Sequence, residues 1–313
     1  MGASRSVGLF ALFGAIACTA PAPDIRDGGK TYHVYFLGGQ SNMEGYASIE
    51  ALPDALTDVR SDLPIFMGNM PYDHDPRGGL GLWAPLSPGF GKEFASNGKR
   101  NVLSGYFGPE LTFGREMKRL NPDQNIALIK YARSGSSIAV GASHGGNWMP
   151  DYRGQNGLNQ YDFAVRTIKT ALAQQDIDGD GLRDQMIPAG LIWMQGEGDA
   201  LGREAAEAYA LNLDNLLHHL RHAFKDPTLP LIIGKITDSN MNEGSPMMPH
   251  IGRVHAAQLA FVSKDACAAY MTETDEYDHA DDGWHYTADG YLRMGRAFAR
   301  ALTELQPSCE PRR

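Results

Sequence analysis

Cysteine is scarce. The chain has three in 313 residues, and Cys267 and Cys309 lack the CxxC spacing of a metal ribbon or dithiol redox site. Positive charge is also short: Lys and Arg number 28 against 37 Asp and Glu, giving a net charge of −9. No basic run is interleaved with aromatics, so nucleic acid is excluded as a natural partner. No internal repeat or low-complexity block interrupts residues 28–313. The apolar stretch at residues 7–18 is shorter than the roughly 20 residues a bilayer span needs, so no transmembrane segment is expected. What is present is ordinary globular usage, 42% hydrophobic and 21% charged, in a length suited to one large α/β domain.

Residues 1–20 read as an export signal. Arg5 supplies the positive start, residues 7–18 the apolar core, and Ala17-Cys18-Thr19-Ala20 a small-residue processing zone. Ala15-Ile16-Ala17-Cys18 also resembles a bacterial lipoprotein signal, in which Cys18 carries the lipid anchor. The Pro-rich tract 19–27 would be a tether in either case. The protein is thus expected to be exported: secreted, periplasmic or anchored at the cell envelope. Two readings of the other cysteines stay open, a Cys267–Cys309 bridge pinning the C-terminal tail or two unpaired thiols.

From there strand and helix patterns alternate. Strand-like runs fall at residues 31–37, 125–132, 189–194, 230–236 and 268–272, and helical patterns at 109–120, 161–174, 204–224, 250–263 and 288–306. In the third helix Ala205, Ala208, Leu213, Leu216, Leu217, Leu220 and Phe224 recur at threes and fours. The strands are too continuously apolar to have one wet face, so helices should cover both sides of a parallel sheet. The predicted fold class is α/β, a three-layer α/β/α sandwich. Residues 46–107 break the rhythm with Gly, Pro and Asn, and with Tyr72, His74, Trp83, Phe90 and Phe94 scattered through them. They leave from the turn described next and are read as a wall over the active site.

That turn is Gly38-Gly39-Gln40-Ser41-Asn42-Met43-Glu44-Gly45, where an apolar strand runs into two glycines and a serine. It places a hydroxyl at the carboxyl end of a strand, where open α/β sheets bind ligands. A serine becomes a nucleophile when a base accepts its proton, and histidine suits the task because it can take and return a proton within one cycle. Asp282-Gly283-Trp284-His285 offers such a base with a carboxylate to orient it, and Thr287 is the expected N-cap of the last helix. The tetrahedral intermediate needs donors: the Ser41 N–H, and groups on two more glycine-bearing turns. One turn is Tyr131-Ala132-Arg133-Ser134-Gly135-Ser136-Ser137. The other is Ile192-Trp193-Met194-Gln195-Gly196-Glu197-Gly198-Asp199, whose Gln195 NH2 can point into the same crevice.

These blocks, Gln40-Ser41-Asn42-Met43, Gly135, Trp193-Met194-Gln195-Gly196-Glu197 and Asp282-Gly283-Trp284-His285, together resemble the SGNH-hydrolase superfamily. The branch they are most similar to is the sialate O-acetylesterase-like group, carbohydrate esterase family 6. The resemblance implies a flavodoxin-like, parallel, five-stranded sheet and acyl-enzyme catalysis without a metal or other cofactor. It implies Ser41 as nucleophile, His285 as base and Asp282 as its orienter, with the Ser41 and Gly135 amides and the Gln195 side chain as oxyanion hole. Gln40 and Glu197 would be supporting residues, Glu197 as an anchor between blocks rather than a catalytic carboxylate. Ser134-Gly135-Ser136 stands where many members have Gly-Gly-Thr. On this view residues 1–20 are signal, 21–30 linker, 31–306 the SGNH esterase domain and 307–313 a tail. The substrate would be an acetylated carbohydrate, a polysaccharide or a sialoside.

Arg133, Trp148, Tyr152 and Trp83 are candidates for sugar contact, since aromatic faces suit pyranose rings and Arg suits carboxylates. A separate acidic loop, Asp176-Ile177-Asp178-Gly179-Asp180-Gly181-Leu182-Arg183-Asp184, sets carboxylates at alternate positions with glycine sixth. That pattern fits a structural calcium held by Asp176, Asp178, Asp180, Leu182 and Asp184, although Ile187 replaces the closing Glu of an EF-hand. An acidic solvated turn is the other reading. Two rival functions are a calcium-dependent carbohydrate-binding protein on an inactive esterase fold, and a thioesterase or peptidase using the same three residues. An intact Ser, His and Asp argue against the first.

Overall fold

A computed structural model of the chain describes residues 25–70, 78–154, 158–240 and 245–309. The expected export signal, Cys18, and the residues Tyr72 and His74 lie outside the described residues. No described helix is long and apolar enough to cross a membrane.

Seven strands form the main sheet: β1 Arg26–Gly39, β2 Arg60–Met67, β3 Trp83–Leu86, β4 Asn125–Ala132, β5 Leu182–Met194, β6 Leu231–Gly234 and β7 Ala268–Met271. Their order is β7-β6-β5-β1-β4-β2-β3, parallel throughout except for β3. The five expected strands are the contiguous block β4-β1-β5-β6-β7, with the first in sequence between the second and third, as in a flavodoxin-like sheet. Val34, Tyr35, Phe36, Leu37, Leu191 and Ile192 have no exposed surface, as strands covered on both faces require.

The sheet is larger than expected because β2 and β3 lie inside the segment read as an irregular wall. Both carry proline, and Pro64 pairs with Pro85. Proline removes a ladder donor, so it is tolerated at a sheet edge, as in β3, or at a register shift, as Pro64 is against β3 and Pro188 of β5 is against β1. β1 also starts at Arg26, within the expected linker, because Arg26 and Asp27 pair with Leu182 and Arg183.

The helices are α1 Ser41–Glu44, α2 Glu110–Leu120, α3 Gln160–Ala173, α4 Glu197–Ala200, α5 Arg203–Ala223, α6 Ile251–Val262 and α7 Ala288–Cys309. α2 packs with α7 on one face of the sheet, and α3, α5 and α6 cover the other. The buried stripe of α5 includes Ala206 and Tyr209, while Ala208 is exposed, so its apolar face starts one residue later than expected. Thr287 caps α7 as expected, its Oγ1 accepting the Gly290 N–H at 3.3 Å. No disulfide joins Cys267 to Cys309, and the Cys309 Sγ–H points to the Ala266 carbonyl at 3.9 Å.

Candidate active site

At the end of β1 the chain must turn where two strands meet. A Cβ on Gly39, with φ +150°, would lie 2.0 Å from the Met194 carbonyl oxygen. Only glycine permits that approach, and it lets the Gln40 N–H donate to the same carbonyl at 2.9 Å. α1 begins at the next residue, Ser41, whose N–H has no intrahelical acceptor at that position.

The second half of the site is a turn just before α7. Asp282 Oδ1 accepts the Trp284 and His285 amides, both at 2.9 Å, while Oδ2 accepts Nδ1–H of His285 at 2.6 Å. With Nδ1 donating, Nε2 carries the lone pair that could receive a proton. Burial works against the Asp282 charge, but these bonds win and hold its carboxyl below the usual carboxylate range.

Asn42 joins the two halves. Its Nδ2 donates to the Trp284 carbonyl at 3.1 Å and to Glu197 Oε1 at 3.0 Å, and its Oδ1 accepts the Tyr291 hydroxyl at 2.9 Å. One buried amide thus ties the nucleophile turn, the turn after β5, the His285 turn and α7. Gln40 reaches the turn after β5 as well, its Oε1 accepting the Gly196 and Gly198 amides at 3.4 Å. Glu197 is 4% exposed and its Oε2 has no partner among the described residues. Burial pushes its carboxyl up to about 7, against the bond from Asn42.

Lys130 secures the other side. It is fully buried at the end of β4, and its ammonium donates to the Glu44 carbonyl at 2.9 Å, the Phe90 carbonyl at 2.6 Å and Glu110 Oε2 at 2.5 Å. A buried cation is tolerated only when paired and hydrogen-bonded, and here those bonds clamp α1, the long connection and the start of α2. Part of the expected wall therefore does meet the site: the Lys92 N–H also donates to the Gly45 carbonyl at 2.8 Å.

Gly135 follows β4 with φ +62°, and a Cβ there would lie 2.5 Å from the His144 ring. The Ser143 hydroxyl and the Gly145 amide, the latter at 2.7 Å, donate to its carbonyl, which fixes the loop. The Ser41 and Gly135 amides donate to no acceptor among the described residues. Gln195 is placed otherwise than expected. Its side chain has no exposed surface, its Nε2 donates to Asp199 Oδ2 at 2.7 Å, and its Oε1 accepts the Tyr209 hydroxyl at 3.2 Å. Asp199 in turn accepts the Ile138 and Ala139 amides at 2.8 and 2.9 Å, so this amide braces the β4 and β5 turns instead of facing open space.

Two of the aromatic candidates for sugar contact are committed to the scaffold for similar reasons. Trp148 is fully buried, donates to Ser136 Oγ at 2.8 Å and packs edge-on against Trp193. Trp83 lies in edge strand β3, packs against Phe66 and donates to the Ala171 carbonyl at 3.2 Å. Both anchor the scaffold. Arg133 is better placed: partly exposed two residues before Gly135, it donates to the Met70 carbonyl at 2.7 Å. Sequence reasoning gave no role to Asn42, Tyr46, Lys130 or Glu110. Only the polar Lys in an otherwise apolar strand was a visible signal.

The acidic loop lies elsewhere. It leads into β5, whose start pairs with the start of β1, whereas Ser41 follows the opposite end. Asp176, Asp178 and Asp184 bring oxygens within 4.8 Å of one another, an all-oxygen set that suits a hard cation. Asp180 instead meets the Lys30 ammonium at 3.2 Å, and that ammonium also pairs with Asp178.

The strand-end serine, the Asp–His turn and two further glycine-bearing turns sit on a flavodoxin-like three-layer sandwich, the arrangement of the SGNH-type fold. The chain belongs to the family described as carbohydrate esterase, sialic acid-specific acetylesterase, whose model matches residues 31–304. It is 27% identical over 197 residues to the Arabidopsis thaliana protein named "Probable carbohydrate esterase At4g34215", and the match spans 62% of each chain, under two thirds of that relative. The X-ray structure of the Arabidopsis protein superposes with TM-score 0.61 at 18% identity, over 87% of this chain and 98% of that one. XAC1771, a carbohydrate acetylesterase from Xanthomonas citri, gives 0.59 at 16% identity over 88% of this chain and 57% of its own. NanS gives 0.58 at 16% over 91% and 98%. At these identities the superpositions speak for the fold.

Proposed function

We propose that this protein is a serine carboxylic-ester hydrolase that removes O-acetyl groups from carbohydrate, either an acetylated polysaccharide or a sialoside. Ser41 is the nucleophile, His285 the general base and Asp282 the group that holds its tautomer. The observation that carries this reading is the 2.6 Å bond from His285 Nδ1–H to Asp282, on a turn tied through Asn42 to the residue after Ser41. Family membership supports the acetyl ester as the bond broken.

In this mechanism Ser41 Oγ attacks the acetyl carbonyl while His285 Nε2 takes its proton. The Ser41 and Gly135 amides receive the oxyanion. Collapse of the tetrahedral intermediate breaks the C–O bond to the sugar, and the imidazolium returns the proton to the departing alcohol. Water, activated by the same ring, then releases acetate and restores Ser41. Arg133, in the same loop, is the candidate to meet a carboxylate-bearing sugar.

The test is acetate release from a panel of acetylated polysaccharides and sialosides, with p-nitrophenyl acetate as a generic ester. Ser41→Ala should lower kcat by about 10⁴ or more, and a serine-reactive phosphonate should label Ser41. Wild-type turnover by the Ser41 variant would end the proposal.

A further inference from the structure

The ring lying flat on His285 belongs to a residue that the acyl-transfer scheme leaves without a task. Tyr46 lies just past α1, its ring stacked on the imidazole with centroids 3.8 Å apart and planes 9° from parallel. Its hydroxyl donates to Ser134 Oγ at 2.6 Å, and Ser134 immediately precedes Gly135. The Ser134 N–H donates to the buried Glu44 carboxylate at 2.8 Å, returning to α1. The Lys92 ammonium lies 4.9 Å from the centre of the same Tyr46 ring. A single phenol therefore touches the base, the oxyanion loop and the long connection.

We propose that Tyr46 is a positioning residue, holding the His285 imidazole and the Gly135 loop in one fixed relationship. The inference rests on the reading of His285 as base. Asp282 alone restrains the ring weakly, because its side chain is 49% exposed and water competes for it, and because one bond at Nδ1 leaves the ring plane free to swing. A parallel aromatic face removes that swing. The hydroxyl has a different duty. It locks Ser134, and so the direction of the Gly135 N–H, to the same ring. Base and oxyanion donor then move together or not at all.

The two duties separate by substitution. Tyr46→Phe keeps the stack and loses the Ser134 bond, so kcat should stay within about fivefold of wild type, the size of one ordinary hydrogen bond. Tyr46→Leu loses both, and kcat should fall about 10²-fold with KM within about threefold, as expected when a reacting group is misplaced by about 1 Å. The upfield ring-current shift of the His285 ring protons should persist in Tyr46→Phe and vanish in Tyr46→Leu. If Tyr46→Leu fails to fold, Tyr46→Met replaces it as the bulk-preserving variant. A leucine or methionine variant with wild-type kcat, alongside an inactive Ser41→Ala enzyme, overturns the positioning role and leaves the esterase reading intact. An active Ser41→Ala enzyme overturns the esterase reading itself. Equal losses in Tyr46→Phe and Tyr46→Leu also overturn the stacking role, because the ring would then contribute nothing beyond its hydroxyl.

Discussion

The Asn42 side chain donates to the main-chain carbonyl of Trp284 at 3.1 Å, across 242 positions of sequence. The residue after the candidate nucleophile is thus fastened to the residue before the candidate base. Because the same Nδ2 also serves Glu197, the bond is held on a buried support and not on a mobile side chain.

Asn42 should therefore behave as part of the geometry of the reaction. Asn42→Ala removes every tie between the two turns that this amide makes, and kcat for p-nitrophenyl acetate should drop about 10–10²-fold by misalignment. Asn42→Asp keeps the bond to Tyr291 but turns an acceptor toward the Trp284 carbonyl and Glu197, and should be worse than alanine. An aspartate variant as active as wild type would show that the fastening is dispensable.

The oxyanion reading separates Gly135 from Gln195. Gly135→Ala places a methyl 2.5 Å from the His144 ring at φ +62°, so the loop must shift and carry its N–H with it. A kcat loss of about 10²–10³ is expected, the size of one lost oxyanion donor. Gln195→Ala instead leaves Asp199 and Tyr209 short of a buried partner, at a cost of about 1–3 kcal/mol in stability. Urea melts and kinetics on both variants check this. A Gln195→Ala enzyme of normal stability and 10³-fold lower kcat would return the side chain to the oxyanion hole.

The difference between Gly135 and Gln195 also explains how much could be read from the chain alone. Ser41, Gly135 and the Asp282–His285 pair stand out as candidates because each belongs to a short turn whose glycine and spacing have local meaning. Gln195 has the same local appearance whether it faces a crevice or bends back to Asp199, four residues on. Trp148 and Trp83 fail likewise, since an aromatic near a site cannot be told from a core aromatic by its neighbours in sequence. Asn42, Tyr46 and Lys130 act through partners far along the chain, so no local pattern marks them. Among the elements, the five continuously apolar strands were legible. β2 and β3 were not, because Pro64 and Pro85 contradict strand chemistry except at an edge or a register shift.

The acidic loop gives a prediction independent of catalysis. Lys30 sits where a cation would be drawn, so calcium must displace its ammonium from Asp178 and Asp180 to use those oxygens. Binding in the millimolar class is expected, and 10 mM calcium should raise Tm by about 2–4 °C. Lys30→Met should strengthen the effect, while kcat stays unchanged because the loop lies at the far end of the sheet. Differential scanning fluorimetry with calcium, and with magnesium as control, reads this directly. No shift in either protein would assign the loop to solvent.

Glu197 supplies the pH dependence. Burial lifts its carboxyl from 4.5 to about 7, and Asp199 beside it rises from 3.8 to about 6 for the same reason. Between these limits the folded state holds protons that the unfolded chain has released, so stability is greatest at low pH in this window and falls as pH rises through it. For Glu197 alone the loss between pH 4.5 and pH 7 is on the order of 3 kcal/mol, with no further change above it. The two carboxyls interact, so their two titration steps belong to the pair and not to either residue, and Glu197→Gln is needed to isolate one of them. The stability of wild type relative to this variant should decline across pH 4.5–7 and level off near pH 8. Glutamine keeps an oxygen for Asn42, so an anchoring Glu197 predicts kcat within about tenfold of wild type, whereas a carboxylate used in the chemistry predicts a loss of 10³ or more. Parallel stability curves for the two proteins would remove the titration argument, and a 10³-fold slower but equally stable variant would move Glu197 from the scaffold to the reaction.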